Sequence, residues 1–244
     1  MSHIVSDSRD LRQLDPGALL VISGPSGTGK STLCRAAMNR FDNMEFSVSF
    51  TTRPARVGEA HGRDYYFVDV ATFDAMIEGG RFAEYAVVHD NKYGTSIDAI
   101  QSRIDLGINV ILDIDSQGAR QIKERYHNAV FIFFVPPSME VLEQRLRGRG
   151  TDSPQVIEKR LKNALSEIQQ CSWYDYIVVN DEFNAALDKF CAIILAEKCR
   201  RSRSMRLIAS VYRHFGVTAL PPGNSATDAA PQGPRMLESH GRDS

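Results

Sequence analysis

Residues 19–32 read Leu19-Leu20-Val21-Ile22-Ser23-Gly24-Pro25-Ser26-Gly27-Thr28-Gly29-Lys30-Ser31-Thr32. The aliphatic run Leu19–Ser23 is short and has no polar face, which suits a strand buried on both sides. The following segment matches GxxxxGK[ST], and Lys30–Arg40 carries Leu33, Ala36 and Ala37 at helical positions. A strand, a glycine loop and a helix in that order predict a phosphate-binding loop. Its glycines let backbone N–H groups converge on phosphate oxygens, and the helix N-terminus adds a favourable dipole. Lys30 then reaches the outer phosphates, and the Ser31 hydroxyl is a ligand for Mg²⁺. A turn that binds nothing needs neither the lysine nor so many glycines.

Working outward, strands and helices alternate after residue 96. Helices are predicted at Ser96–Leu106, Gln117–Tyr126, Ser138–Arg147, Pro154–Gln170 and Glu182–Cys199. Strands are predicted at Val110–Ile114, Val130–Val135 and Ile177–Val179. Ser138 is a candidate N-cap, and Gly148–Pro154 interrupts the helical pattern with turn residues. Such alternation implies α/β class with a parallel sheet covered on both faces. Between the two parts, residues 46–96 have another texture. Phe46–Phe50 alternates with period two, as does part of Tyr65–Val68. Ala83–Val88 is a third strand, turning back at Asn91-Lys92 through Tyr93, and Thr72–Glu78 is a short helix stopped by Gly79-Gly80.

Composition narrows the classes. The chain has 244 residues, 43% hydrophobic and 24% charged, with net charge −1. These values suit a globular protein and exclude a chain basic throughout, so no nucleic-acid partner is expected. The four cysteines, Cys34, Cys171, Cys191 and Cys199, form no CxxC pair, which points to a reducing compartment. No apolar run approaches the ~20 residues of a membrane span, and the N-terminus lacks a secretory core. A cytoplasmic location without membrane association is the expectation. Residues 1–16 read as a loose lead-in. Residues 198–213 are rich in Arg and carry no acid, and 217–244 are too poor in apolar groups to fold.

A second constellation lies in the insert. Ser49-Phe50-Thr51-Thr52-Arg53-Pro54-Ala55-Arg56 is followed by Gly58-Glu59, Gly62 and Asp64-Tyr65-Tyr66-Phe67. Two arginines beside hydroxyls and a tyrosine can grip a second phosphate, because the guanidinium fork binds phosphate bidentately. A donor loop plus a second clamp suggests a phosphoryl acceptor.

These motifs together resemble the guanylate kinases, over roughly residues 17–210. The matching segments are GPSGTGKST (24–32), SFTTRPARVGE (49–59), GRDYYFV (62–68), FAEYA (82–86), YGTS (93–96), ILDIDSQGA (111–119), RLRGRGT (145–151) and VVND (178–181). The resemblance implies a P-loop core of 17–45, 97–144 and 171–200, a GMP-binding insert of 46–96 and a mobile lid of 145–170, within one domain of 17–216. It implies ATP and GMP as substrates, with Mg²⁺, in guanine nucleotide synthesis and recycling.

Carried over by motif, Gly24, Pro25, Ser26, Gly27, Thr28, Gly29, Lys30, Ser31 and Thr32 bind ATP, and Asn180 approaches the adenine. The GMP phosphate is held by Ser49, Arg53, Arg56, Tyr65 and Tyr93. Guanine is read by Glu84, Thr95 and Asp115, since its N1–H and N2–H₂ donors suit carboxylates. Asp113 and Asp115 both follow a buried strand; matching gives Asp115 to guanine and leaves Asp113 with Ser31 for the metal. Lys30 and the lid arginines Arg145, Arg149 and Arg160 are the catalytic cations. Phe50 and Ala55 depart from the family pattern without touching an assigned role. The rival is a non-catalytic guanylate-kinase-like module that binds phosphorylated ligands, but it does not explain an intact Lys30, Ser31 and set of lid arginines. Oligomeric state has no signal in the sequence.

Overall fold

The computed structural model describes residues 16–88, 90–148, 150, 152–204, 208, 212 and 215. The expected lead-in is therefore almost wholly outside the described residues, as are Arg149 and the expected tail 217–244.

Two sheets organise the described chain. The larger contains β1 (Leu19–Ser23), β2 (Met44–Phe46), β7 (Asn109–Asp113), β8 (Val130–Val135) and β9 (Tyr176–Val179). Its order is β2-β7-β1-β8-β9, and every pairing is parallel. β1 shows why its sequence lacks a polar face. Leu20 and Ile22 pack with Leu33, Ala37 and Phe190 on one side, while Leu19 and Val21 pack with Ile100, Ala119 and Ile122 on the other. Those partners come from α1 (Lys30–Met38) and α7 (Phe183–Lys198) on the first face. On the second they come from α3 (Ile97–Asp105) and α4 (Ser116–Arg125). Burying each such aliphatic side chain stabilises the fold by roughly 1.5–3 kcal/mol.

The smaller sheet is built from β3 (Phe50–Thr51), β4 (Tyr66–Phe67), β5 (Phe82–Val88) and β6 (Asn91–Ser96), in the order β4-β3-β6-β5. It packs around Phe73 and Met76 of α2 (Val70–Glu78) and Phe82. Asp69 caps α2 by accepting from Thr72 N at 2.7 Å.

Two local expectations are corrected. Phe46–Phe50 is not one strand: Phe46 pairs with Ile111 in the large sheet, whereas Phe50 pairs with Tyr66 and Gly94 in the small one. The period-two pattern spans a change of sheet, so Phe46 stays with the core. The hairpin turn lies before Asn91, because Val88 pairs with Asn91, and Asp90 takes the positive φ of 65° that the turn requires. Phe50 is accommodated by stacking on Tyr66 at 4.8 Å and meeting Phe82 edge-on at 5.8 Å.

α5 (Met139–Arg147) and α6 (Pro154–Gln169) form a helical pair with its own small core of Leu142, Leu146, Ile157 and Ala164. Ser138 caps α5 through Val141 N at 3.3 Å, as expected from the sequence. Ser153 caps α6, with Pro154 in its first turn. Among the described residues no helix is long and apolar enough to cross a membrane.

Candidate active site

Functional groups gather at the carboxyl ends of β1, β7 and β9, where open parallel sheets usually present ligand sites. β1 runs directly into the glycine loop. Gly24 has φ +137°, and a Cβ there would lie 2.1 Å from the Phe134 carbonyl oxygen, so only glycine permits this exit from the strand. Thr28 is fully buried and donates its hydroxyl to the Pro25 carbonyl at 2.8 Å, tying the loop across itself. Lys30 Nζ donates to the carbonyls of Gly24 at 2.5 Å and Pro25 at 3.3 Å, folding back over the loop it follows. An ammonium has three protons, so this arrangement leaves one for a phosphate. α1 starts at Gly29 with no side-chain cap, so its first N–H groups have no capping acceptor. Thr32 is exposed in the first turn.

Asn180 lies beneath this loop. Its side-chain nitrogen donates to the Thr28 carbonyl at 2.6 Å, and its own carbonyl accepts from Arg145 Nη2 at 3.0 Å. A Cβ on Gly29 would fall 2.6 Å from the same amide nitrogen. The bond to Thr28 uses one of the two amide protons of Asn180, and the other donor and the amide oxygen stay available to a nucleotide. Arg145 keeps Nη1 buried without a hydrogen-bond partner. Arg160 reaches Ser26 Oγ at 3.4 Å and pairs with Asp152 at 3.3 Å, while Arg147 turns outward to Glu143 at 2.6 Å.

Ser31 Oγ donates to Asp113 Oδ2 at 3.1 Å. A hydroxyl and a carboxylate side by side are hard oxygen donors suited to Mg²⁺, which commonly takes one or two protein ligands and completes its shell with phosphates and water. Asp115, two residues on, instead caps α4 by accepting from Gly118 N at 2.8 Å.

Across from the loop, the insert presents the second group of residues. Arg53 Nη2 pairs with Glu59 at 2.9 Å and its Nη1 donates to the Pro54 carbonyl at 2.8 Å. The guanidinium also lies over the Tyr65 ring at 5.4 Å, and Tyr65 meets Tyr93 edge-on at 5.9 Å. Glu59 holds the Arg53 guanidinium above its usual pKa and is itself held below the carboxylate range by Arg53. Glu59 also accepts from Arg56 N at 2.8 Å, leaving the Arg56 side chain exposed. Burial raises the Tyr65 phenol, and Tyr93 adds to that shift while the Arg53 charge opposes it.

Glu84 is the least ordinary carboxylate in the group. It is only 4% exposed, its Oε1 accepts from the buried Thr95 hydroxyl at 2.5 Å, and Thr95 in turn sits 3.3 Å from Ser49 Oγ. Burial pushes its pKa up to about 7, opposed by the Thr95 hydrogen bond and assisted by the negative charge of Asp115. Phe82, Ala83 and Glu84 are buried consecutively at the start of an edge strand whose later residues alternate. The register shift between Phe82 and Glu84 resolves this: a bulge re-aims Glu84 into the site.

The profile of the family described as guanylate kinase matches residues 17–197. The chain belongs to the guanylate kinase family. The guanylate kinase of Geobacter metallireducens is 49% identical over 192 residues, covering 79% of this chain and 95% of that protein. That of Syntrophotalea carbinolica is 52% identical over 187 residues, covering 77% and 89% respectively. The crystal structure of guanylate kinase from Anaplasma phagocytophilum aligns with a TM-score of 0.66 at 34% identity, covering 84% of this chain and 98% of that one.

One group facing the family site was not singled out from sequence. Glu167 of α6 is half-buried, and burial raises its pKa, with Lys30 opposing and Asp115 assisting. It stands seven residues after Arg160, so helical periodicity puts both on one side of α6.

Proposed function

We propose that the protein transfers the γ-phosphoryl of ATP to GMP, giving ADP and GDP. Family membership and the paired phosphate sites support this reading. The single observation that carries the guanine assignment is Glu84: a buried carboxylate, hydrogen-bonded by Thr95 and close enough to Asp115 for its charge to be felt. Guanine's N1–H and N2–H₂ donate to such acceptors, whereas adenine would set its N1 lone pair against them. The rival reading, a module without catalysis, has nothing in its favour: Lys30 is folded over an intact loop, and Arg145 and Arg160 reach the same region.

ATP lies with its phosphates over residues 24–32, held by backbone N–H groups and Lys30. Ser31 and Asp113 would hold Mg²⁺, which would supply neutralisation of phosphate charge. GMP binds the insert, its phosphate on Ser49, Arg53, Arg56, Tyr65 and Tyr93, its base on Glu84, Thr95 and Asp115. Glu59 and the Tyr65 ring fix the Arg53 fork before substrate arrives, which reduces the ordering cost of binding. An oxygen of the GMP phosphate forms the new bond to the γ-phosphorus as the bond to the ADP oxygen breaks in line. No covalent enzyme intermediate and no general base are needed, because the attacking phosphate oxygen is already anionic. Lys30, Arg145, Arg160 and Arg149 stabilise charge on the transferred group. Asn180 supports the ATP site by holding Thr28 and Arg145.

The division into a core of 17–45, 97–144 and 171–200, an insert of 46–96 and a lid of 145–170 is retained as a functional division, with the change of sheet after Phe46. A cytoplasmic location fits guanine nucleotide metabolism. The test uses ATP labelled at the γ-phosphorus. With GMP and Mg²⁺ the label moves to the β position of GDP, one GDP forming per ADP. Label released as inorganic phosphate, or retained on the protein, contradicts direct transfer.

A further inference from the structure

The two carboxylates that address guanine belong to different folding units. Asp115 stands at the start of α4 in the core, and Glu84 stands on β5 in the insert sheet. Something must set the distance between them. β5 is an edge strand of its sheet, and the edge it turns away from β6 faces α4.

Three residues of α4 engage that edge. Gln121 meets both backbone groups of Tyr85: its Oε1 accepts from Tyr85 N at 3.1 Å, and its Nε2 donates to the Tyr85 carbonyl at 2.8 Å. A primary amide used this way imitates one residue of a neighbouring strand, and only one orientation of the amide satisfies both groups. One turn later, Arg125 Nη1 donates to the Phe82 carbonyl at 2.8 Å. One turn earlier, Gly118 leaves room for Glu84, because a Cβ there would lie 2.6 Å from Glu84 Oε2. Positions 118, 121 and 125 share one helix face. The same helix is capped by Asp115.

We propose that Gln121 is a positioning residue for base selection: it fixes the backbone beside Glu84 to the helix that Asp115 begins, and so sets the spacing of the two guanine acceptors. The proposal rests on the reading of Glu84 as a guanine contact. The bulge at Phe82–Glu84 gives the clamp its purpose, since a bulged edge has a weakened ladder and needs support from outside the sheet. Gln121 touches neither substrate in this account. Its effect passes through Glu84, and hydrogen-bond acceptors displaced by a fraction of an ångström lose much of their value.

The experiment compares GMP with IMP, which lacks the 2-amino donor, as acceptors for ATP in the full chain. Four variants are measured beside the original: Glu84→Gln, Gln121→Ala, Gln121→Met and the double Glu84→Gln/Gln121→Ala. Gln121→Ala is expected to raise KM for GMP and lower the GMP-to-IMP ratio of kcat/KM by about tenfold, with KM for ATP and kcat at saturating GMP little changed. Gln121→Met keeps the length of the side chain without its hydrogen bonds and is expected to behave like Gln121→Ala. In the double variant the ratio falls no further than in Glu84→Gln alone, because the two act as a unit. A ratio unchanged in Glu84→Gln overturns the base reading itself. A ratio lowered in Glu84→Gln but intact in Gln121→Ala, or restored by Gln121→Met, overturns the clamp alone. So does an additive double variant.

Discussion

On the proposed reading, the donor and acceptor halves of this site would hold phosphates in opposite ways. The donor loop is one unbroken stretch, residues 24–32, in which backbone curvature does most of the work. Thr28, Lys30 and Asn180 serve to hold that curvature, through bonds to the carbonyls of Pro25, Gly24 and Thr28. The acceptor half is assembled from side chains spread between Ser49 and Asp115, on two sheets and a helix. Its order comes from side-chain pairs: Arg53 with Glu59, Tyr65 with Tyr93, Thr95 with Glu84. A backbone site suits any polyphosphate, whereas a side-chain site can choose its base.

The contrast is sharpened by substitutions that strike one half only. Lys30→Ala, in the donor half, should lower kcat about 10³-fold while the protein stays folded, as expected for a donor aimed at developing charge. Near-normal turnover in the folded variant would remove Lys30 from the chemistry. Arg53→Ala, in the acceptor half, should raise KM for GMP about tenfold or more and leave KM for ATP unchanged, since a charge-assisted hydrogen bond contributes roughly 1.5–3 kcal/mol. Equal effects on both substrates would break the division between the halves. Asn180→Ala should act on the donor half without touching phosphate. We expect KM for ATP to rise several-fold, roughly what one lost hydrogen bond of ~1 kcal/mol gives, with KM for GMP unaffected. Steady-state kinetics with each substrate varied in turn distinguishes these outcomes.

A smaller effect separates the halves by pH. Glu84 has a pKa of about 7 against an ordinary 4.5, so the ligand-free folded protein holds its proton more tightly than the unfolded chain does. Its contribution to stability is therefore complete below pH 4.5 and is lost as pH rises through about 7. The ionised form is the better acceptor for guanine, so KM for GMP should fall several-fold between about pH 6 and 8. Glu84→Gln should keep only the dependence that comes from the substrate phosphate, whose second ionisation lies near pH ~6. A wild-type profile identical to that of Glu84→Gln would remove the titration from base binding.

The same contrast governs how much the sequence disclosed. The donor loop is legible because its residues are contiguous and each type has one geometric reason to be there. The parallel sheet is legible because β1, β7 and β8 are apolar on both faces. Phe46–Phe50 misleads because a change of sheet leaves the alternation of side chains intact while the hydrogen-bond partners change. Glu84 looks like an edge-strand acid until the family motif is applied, since nothing local announces the bulge that turns it inward. Gln121 carries no sequence signal at all: its role depends on β5 lying against α4, a contact across 36 positions of chain. Glu167 is marked only by its spacing to Arg160, and the motif that marks Asn180 gives no sign of its bonds to Thr28 and Arg145.

Base choice by the side-chain half is the property on which the two halves differ most. It is tested most directly by kcat/KM for GMP and for AMP, measured with saturating ATP and Mg²⁺ on the full chain. Two carboxylates facing the base predict a preference for GMP on the order of 10⁴, because adenine would leave buried acceptors unpaired. Comparable values for the two nucleotides would contradict the assignment of Glu84 and Asp115.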